Sequence, residues 1–320
     1  MRVVRRREFE RLELPASVLT IGNFDGVHRG HRQIIAQAGL FAADRGLPVA
    51  VLTFEPHPLS VVEPRRSPPR LTLAEEKIAQ LAGAGADVVA VADSTPVLLS
   101  LTPEDFIDQI VMPRFHPTHV VEGASFGFGR GRRGTTDLLR QLGQDREFET
   151  FTVEPVRLQV EHHETVLVSS SLIRKLLESG RVHRAELCLG RPYTLVGTVG
   201  TGAGRGVGLG FPTANIGCPG QLVPGAGVYS GEAHLAGRAY PAAISVGTAP
   251  TFDGASTHVE AHLLDFDGDI YGRPIRLDFY RPLRAQKKFA SKDELTRQIT
   301  KDVAEVRRLY AERAGVVHPE

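Results

Sequence analysis

The chain has 320 residues, of which 42% are hydrophobic and 23% charged, which is an ordinary globular composition with room for two domains. The formal net charge of +1 provides no global field that would favour nucleic acid or an anionic membrane. No apolar run approaches the roughly 18 residues that a membrane helix requires. The basic tip MRVVRRREFERLE lacks the apolar segment of a secretory signal. The only cysteines, Cys188 and Cys218, lack metal-ligand spacing. These features predict a protein of the reduced cytoplasm.

Strand and helix patterns alternate through the first half of the chain. Apolar runs predict strands at 17–22, 48–56, 86–93 and 116–123. Helical periodicity predicts helices from Gly30 to Gly46, over 73–85, and from Thr102 as N-cap with Pro103 at the first helical position. This order favours a Rossmann-like parallel sheet with helices on both faces, and ligands of such sheets bind beyond the carboxyl ends of the strands.

The pattern changes near residue 188. Short β-rich segments separated by Gly, Pro or Asp lie at 193–202, 227–235, 240–248, 257–266 and 274–283, and they predict a small antiparallel barrel. A long amphipathic helix follows from Ser291, with acidic residues in its first turn. The sequence therefore predicts an α/β domain over 1–188 and a β-barrel domain closed by a helix over 189–320.

The turn after the first predicted strand, GNFDGVHRGH (22–31), carries two histidines three residues apart. At a helix N-terminus, His28 and His31 would share one face and could serve as donors to a phosphate, and Gly30 would let a ligand approach the backbone. A metal site is the rival interpretation, but no further ligand stands at the usual spacing. Two surface histidines on an ordinary helix are the third interpretation.

A second possible phosphate site lies in the glycine-rich run TVGTGAGRGVGLGFPTANI (198–216). No Gly-Lys dipeptide occurs in the chain, which excludes a Walker loop. Repeated glycines allow backbone N–H groups to face a phosphate, and Thr213 and Asn215 offer oxygen ligands that suit Mg²⁺. A glycine-rich hairpin at the rim of the barrel is the alternative.

The segment GRGRRG (129–134) matches G-x-G-x-x-G, although three arginines crowd the turn. A dinucleotide fingerprint is rejected here. A surface loop and a loop that contacts flavin or phosphate both remain open.

Several motifs, in order along the chain, resemble those of prokaryotic bifunctional riboflavin kinase/FAD synthetases. GNFDGVHRGH resembles the nucleotidyltransferase signature of that family. Further similar segments are TFEPHP (53–58), LSLTPEDF (99–106), SSSLIR (169–174), GAGRGVGLGFPTANI (202–216) and VEAHLLDF (259–266). The ordered set covers nearly the whole chain and implies two activities, phosphorylation of riboflavin to FMN and adenylylation of FMN to FAD.

The resemblance also implies roles for individual residues. His28 and His31 would hold ATP phosphates, Arg174 would reach the departing pyrophosphate, and Glu260 would be the general base that takes the proton of the ribityl 5′-hydroxyl. The nucleotide-binding positions that it implies are Gly22, Asn23, Phe24, Asp25, Ser170, Ser171, Gly204, Gly206, Gly210 and Pro212. Thr213 and Asn215 would hold Mg²⁺.

On β-strand spacing, Val259, Ala261 and Leu263 face one side and His258, Glu260 and His262 the other. His258 and His262 are interpreted as solvated neighbours. The expected partners are the small molecules riboflavin, FMN and ATP, with no nucleic acid and no membrane, and the chain is expected to be a monomer or a weak homo-oligomer.

One departure concerns the flavin side of adenylylation. The family pattern G-x-D-F-R-F-G is met here by Gly123, Phe126, Phe128 and Gly129, but Ser125 and Gly127 replace its acid and its arginine. A monofunctional riboflavin kinase and a non-catalytic flavin- or nucleotide-binding regulator are therefore carried as alternatives.

Overall fold

The computed structural model describes residues 1–160, 165–201, 211–251 and 254–315, without the side chains of 248–251, 254–256 and 314. Contacts divide the chain into two compact units, Met1–Ser170 and Ser171–Glu320. The boundary after residue 188 that the sequence suggests stays a prediction.

The first unit is built on a six-stranded parallel sheet. Its strands are β1 (Arg2–Arg5), β2 (Ser17–Ile21), β3 (Val49–Glu55), β4 (Val88–Asp93), β5 (Pro117–Gly123) and β6 (Glu149–Val153). Their order is β1-β4-β3-β2-β5-β6, and every neighbouring pair is parallel. The four inner strands are those that the apolar runs predict. The two edge strands were not predicted, because arginines bound β1 and β6 begins at the exposed Glu149.

Eight α-helices belong to the described part of this unit. They are α1 (Arg7–Glu10), α2 (Arg29–Arg45), α3 (Pro58–Val62), α4 (Ala74–Ala82), α5 (Pro96–Ser100), α6 (Pro103–Phe106), α7 (Met112–Phe115) and α8 (Thr136–Asp145). A π-helical turn, Ile107–Val111, joins α6 to α7. A separate antiparallel hairpin pairs β7 (Arg157–Gln159) with β8 (Thr165–Leu167).

The helices cover both faces of the sheet, which confirms the prediction. Because side chains alternate along a strand, Val18 packs on one face with Ile35 of α2. Leu19 packs on the opposite face with Phe115 of α7. The predicted start at Thr102 is also confirmed, since its hydroxyl accepts the N–H of Asp105 at 3.0 Å.

The second unit contains a closed six-stranded barrel in the order β10-β13-β12-β11-β14-β9. Its strands are β9 (Tyr193–Gly200), β10 (Ala214–Gly217), β11 (Gly227–Leu235), β12 (Arg238–Thr251), β13 (Gly254–Leu263) and β14 (Pro274–Arg284). All neighbours are antiparallel, as predicted. The short strand β10 was not predicted, because it follows a proline and a glycine-rich run.

In the part of this unit that the structure describes, three helices accompany the barrel, namely α9 (Ser170–Glu178), α10 (Val182–Leu189) and α11 (Lys292–Gly315). The predicted start of the last helix is confirmed. Ser291 Oγ accepts the N–H of Glu294, and Glu294 Oε2 accepts the N–H of Ala290, which together close the first turn. Arg284 of β14 holds α11 through Asp302, with Nη2 2.8 Å from Oδ2.

Candidate active sites

The loop between β2 and α2, residues 22–28, lies at the carboxyl end of a central strand, as the sequence predicts. Phe24 and Val27 adopt φ values of 47° and 38°, a region that L-residues rarely enter and that is worst for a β-branched side chain. Both side chains are buried, so packing holds the backbone in this conformation. Such strain costs about 1–3 kcal/mol per residue and is concentrated at functional sites.

Asp25 fastens this loop to a distant segment. Its buried carboxylate accepts the N–H groups of Leu71 and Thr72, each at 3.0 Å. The hydroxyl of Ser170 donates to the Asp25 carbonyl at 2.8 Å. Two of the predicted nucleotide-binding residues therefore meet at this loop. Ser170 binds its backbone, and Asp25 anchors it to residues 71 and 72. Direct contact of either residue with a nucleotide stays a prediction.

The two histidines meet face to face at the start of α2. Their ring centroids are 3.6 Å apart with planes inclined by 18°, and Phe24 meets His31 edge-on at 5.1 Å. His28 is the N-cap, and its Nδ1 accepts the N–H of His31 at 3.4 Å. In neutral His28 the proton then lies on Nε2, which can donate to an anion. This arrangement supports the phosphate interpretation of the motif.

The absence of a side chain at Gly30 leaves room for the ring of His28. A Cβ at Gly30 would lie 3.1 Å from Cε1 and 3.2 Å from Nδ1 of the His28 ring. The glycine therefore makes room for an imidazole, in addition to the predicted room for a ligand.

Asn23 is paired with a histidine that the sequence analysis left without a role. The side-chain amide of Asn23 lies 3.2 Å from Nε2 of His57, whose Nδ1 accepts the N–H of Leu59. His57 follows β3, the neighbour of β2 in the sheet. A histidine two residues after an adjacent parallel strand, within the TFEPHP segment, is the signal that could have identified it.

A pocket opens beside this pair. Its walls are Asn23, Asp25, Phe54, Glu55, His57, Arg70, Thr72 and Lys77. Burial lowers the pKa of Lys77, against the opposing effect of the nearby carboxylate of Glu55, whose Oε2 lies 3.3 Å from Nζ. Arg70 Nη1 lies 2.7 Å from Glu55 Oε1. Two cations, Arg70 and Lys77, thus line the pocket beside two carboxylates, Glu55 and Asp25, and both cations are ion-paired with Glu55. Nothing in the sequence marks Lys77, because a helical lysine normally faces solvent.

Ser171 and Arg174 lie in the first turns of α9, within the second unit. Both are at least partly accessible. Their assignment to the adenylyl-transfer site stays a prediction.

The GRGRRG segment forms an exposed turn between β5 and α8. Phe128 and Gly134 exchange backbone hydrogen bonds of 2.9 and 3.1 Å and close the turn. The side chain of Arg132 crosses Gly127, and its Nη2 donates to the Ser125 carbonyl at 3.0 Å. The absent side chain at position 127 therefore leaves room for Arg132, and an arginine still covers this part of the loop.

In the barrel, a row of polar residues crosses three strands. Asn215 of β10 is directly opposite Glu260 of β13, and Ser245 of β12 is opposite Glu260 on its other side. Directly opposed residues point to the same face, so an amide, a carboxylate and a hydroxyl lie side by side. The intervening residues of β13 are buried, as predicted: Val259, Ala261 and Leu263.

His262 holds the turn that precedes β10. Its Nδ1 lies 2.8 Å from the Pro212 carbonyl oxygen, and Phe211 meets its ring edge-on. The interpretation of His262 as a merely solvated neighbour was wrong, because its ring fixes the turn that leads to Thr213. Thr213 is partly buried between this turn and β10. Gly204, Gly206 and Gly210 lie outside the described residues.

Among the described residues, one further group could ligate a metal. The ligand atoms of Glu232, His234 and Asp278 lie within 4.8 Å of one another on β11 and β14. His234 Nε2 is 3.0 Å from Asp278 Oδ2 and 3.1 Å from Glu232 Oε1, so these side chains also satisfy one another as ion pairs. None of them belongs to the predicted Mg²⁺ ligands.

Comparison with known proteins places both units. The FAD synthetase family model matches residues 11–171, and the riboflavin kinase family model matches residues 189–310. A Pseudomonas fluorescens bifunctional riboflavin kinase/FMN adenylyltransferase is 36% identical over 98% of this chain and 99% of its own length. The proteins of the same name from Bacillus subtilis and Escherichia coli K12 are also 36% identical, over 93% and 92% of this chain and 94% and 92% of their own lengths.

The fold is similarly shared along the whole chain. A solved Streptococcus pneumoniae structure described as a macrolide-efflux protein matches with a TM-score of 0.86 at 28% identity, over 96% of this chain and 99% of that chain. In the part of this chain that the structure describes, no helix combines the length and apolarity needed to cross a membrane. The matches to both family models and the near-complete coverage of the relatives show that the chain belongs to the bifunctional riboflavin kinase/FMN adenylyltransferase family.

Proposed function

We propose that the chain converts riboflavin and ATP to FMN and ADP on the barrel, and FMN and a second ATP to FAD and pyrophosphate at the 22–31 loop. The observation that carries this proposal is the separation of two polar sites, the stacked histidines and the Asn215–Glu260 row, into different compact units. The residues of each site support one of the two reactions.

At the loop, the chemistry is positioning and neutralisation of charge. The FMN phosphate attacks the α-phosphorus of ATP, the bond to the pyrophosphate breaks, and the leaving group gains charge. His28 and His31, at the positive end of α2, donate hydrogen bonds to the phosphates, and Asn23 orients them. Gly22, Phe24 and Asp25 act through the shape of the loop, and Arg174, with Ser170 and Ser171, binds the leaving group.

On the barrel, Glu260 accepts the proton of the riboflavin 5′-hydroxyl as that oxygen attacks the γ-phosphorus of ATP. Asn215 beside it and the nearby Thr213 supply amide and hydroxyl oxygens, a donor set that fits Mg²⁺. Bound there, Mg²⁺ would neutralise phosphate charge. Pro212, held by His262, shapes the turn next to the glycines 204, 206 and 210, which bind the nucleotide.

We assign this chemistry to the cytoplasm, where ATP and a reduced pair of cysteines are both expected. The partners are small molecules, namely riboflavin, FMN and ATP, without nucleic acid or membrane, and the chain acts as a monomer or weak homo-oligomer.

The test is a time course of purified protein with riboflavin, ATP and Mg²⁺, with flavins separated by chromatography. FMN that appears first and FAD that follows is the expected result. FMN as the only product would favour a monofunctional riboflavin kinase, with Ser125 and Gly127 as the departures that explain the missing adenylylation. Riboflavin that binds without forming any product would favour a non-catalytic flavin-binding regulator.

A further inference from the structure

Glu122 is a buried carboxyl group at the carboxyl edge of the sheet that the proposed chemistry does not use. It is 2% exposed and follows the fully buried Val120 and Val121 on β5. Ionisable side chains are almost never fully buried unless they are paired, so a glutamate in this run needs a reason.

The partner of Glu122 is the last backbone amide of β2. The parallel pairing of β2 with β5 runs from Ser17 to Leu19. Beyond it, the Ile21 N–H donates to Glu122 Oε1 at 2.5 Å. At the point where β2 and β5 diverge, the Glu122 side-chain oxygen thus accepts a hydrogen bond of the kind that a backbone carbonyl of β5 accepts within the paired region.

The next residue along the chain begins the nucleotide loop. Gly22 donates its N–H to Leu52 of β3 at 3.0 Å, so the end of β2 is held from both sides. The loop then passes through the strained residues Phe24 and Val27 before His28 caps α2. Asp25 anchors the middle of the loop, and the Ile21–Glu122 hydrogen bond anchors its entry.

Resting on the function proposed above, we propose that Glu122 is a positioning residue for adenylyl transfer, whose side-chain oxygen fixes the end of β2 and thereby the place of Asn23, His28 and His31. Glu122 touches no substrate in this role. It acts through the backbone of Ile21.

The hydrogen bond to Ile21 and the direction of the pKa shift indicate which variant resembles Glu122. Burial raises the pKa of the Glu122 carboxyl well above its usual range, while the Ile21 N–H and the Thr20 hydroxyl act in the opposite direction. The raised pKa favours the uncharged acid, which glutamine resembles in size, in lack of charge and in its acceptor oxygen.

The experiment compares Glu122→Gln, Glu122→Asp and Glu122→Leu in the full chain. FMN-to-FAD kcat and the KM for ATP are measured, together with riboflavin kinase kcat in the same preparation. Circular dichroism reports whether each full-length variant is folded. We expect Glu122→Gln to stay within threefold of wild type in adenylylation, and Glu122→Asp, whose shorter side chain cannot reach Ile21, to lose at least tenfold in kcat. Kinase kcat should remain unchanged in both.

Glu122→Leu removes the acceptor and should match or exceed the loss in Glu122→Asp. If the leucine variant does not fold, the comparison of Gln with Asp decides alone. Three results would overturn the proposal. They are a Glu122→Asp variant as active as wild type, a Glu122→Gln variant as impaired as Glu122→Asp, or a Glu122→Asp variant with a raised KM for ATP and an unchanged kcat. The second result would mean that the proton of the acid, and not its acceptor oxygen, is what adenylylation needs.

Discussion

Gly30→Ala tests whether the missing side chain at Gly30 sets the position of the His28 ring, apart from the effect of glycine on the stability of α2. The new Cβ would lie 3.1 Å from the His28 ring, whereas carbon contacts are optimal from about 3.5 Å, so the ring must move by roughly 0.4 Å. A misplacement of about 1 Å at a reacting centre can cost about 10²-fold, and we therefore expect adenylylation to fall about tenfold. Riboflavin kinase activity, which we assign to the barrel, should remain within twofold of wild type.

Gly39→Ala is the matched control in the same helix. Apart from its chain neighbours and the backbone of its own helix, nothing lies within 4 Å of the Cβ that it would introduce. Replacing a helical glycine by alanine stabilises by about 1 kcal/mol, so Gly39→Ala should raise the free energy of unfolding by that amount and leave both activities unchanged. Gly30→Ala should gain less, since the contact with His28 offsets part of the helical preference. Initial rates of FMN-to-FAD conversion and urea denaturation measure both effects, and a Gly30→Ala variant with wild-type adenylylation would refute the reasoning.

Three further predictions concern individual side chains. His31→Ala removes one phosphate donor and should lower FMN-to-FAD turnover by about 10²–10³-fold with kinase activity intact; wild-type FAD formation would contradict the assignment. Glu260→Gln removes the general base and should lower riboflavin phosphorylation by about 10²–10⁴-fold, while added FMN is still converted to FAD; joint loss of both activities in a folded variant would argue against separate sites. Burial raises the pKa of Glu122 in the folded state, so as the pH rises past the ordinary carboxyl pKa of 4.5, Glu122 ionises in the unfolded chain before it ionises in the folded one. The free energy of unfolding of the wild type should therefore fall relative to that of Glu122→Gln from this pH up to the folded pKa. Urea denaturation at pH 5, 7 and 9 measures this gap, and a gap independent of pH would show that Glu122 is not buried as a neutral acid.

The sequence predicts the parts of the fold that depend on apolar periodicity. The inner strands of the sheet, the start of α6 at Thr102 and the start of α11 at Ser291 follow from burial and capping rules and are confirmed. The edge strands β1 and β6 and the short strand β10 were missed, because exposed or interrupted strands carry little periodic signal.

The candidate sites are predictable only in part, for a similar reason. Motif spacing brings His28 and His31 together, and strand alternation places Glu260 on a polar face. The left-handed backbone of Phe24 and Val27 and the burial of Lys77 arise from long-range packing, which no local pattern encodes.

The most direct test of two independent sites is a mixing experiment with His31→Ala and Glu260→Gln. Each variant is incubated alone, and then both together, with riboflavin, ATP and Mg²⁺, and the flavins are separated by chromatography. His31→Ala alone should accumulate FMN, Glu260→Gln alone should leave riboflavin unchanged, and the mixture should form FAD as FMN diffuses from one protein to the other. A mixture that forms no FAD, although His31→Ala supplies FMN, would contradict the assignment of the two reactions to separate units.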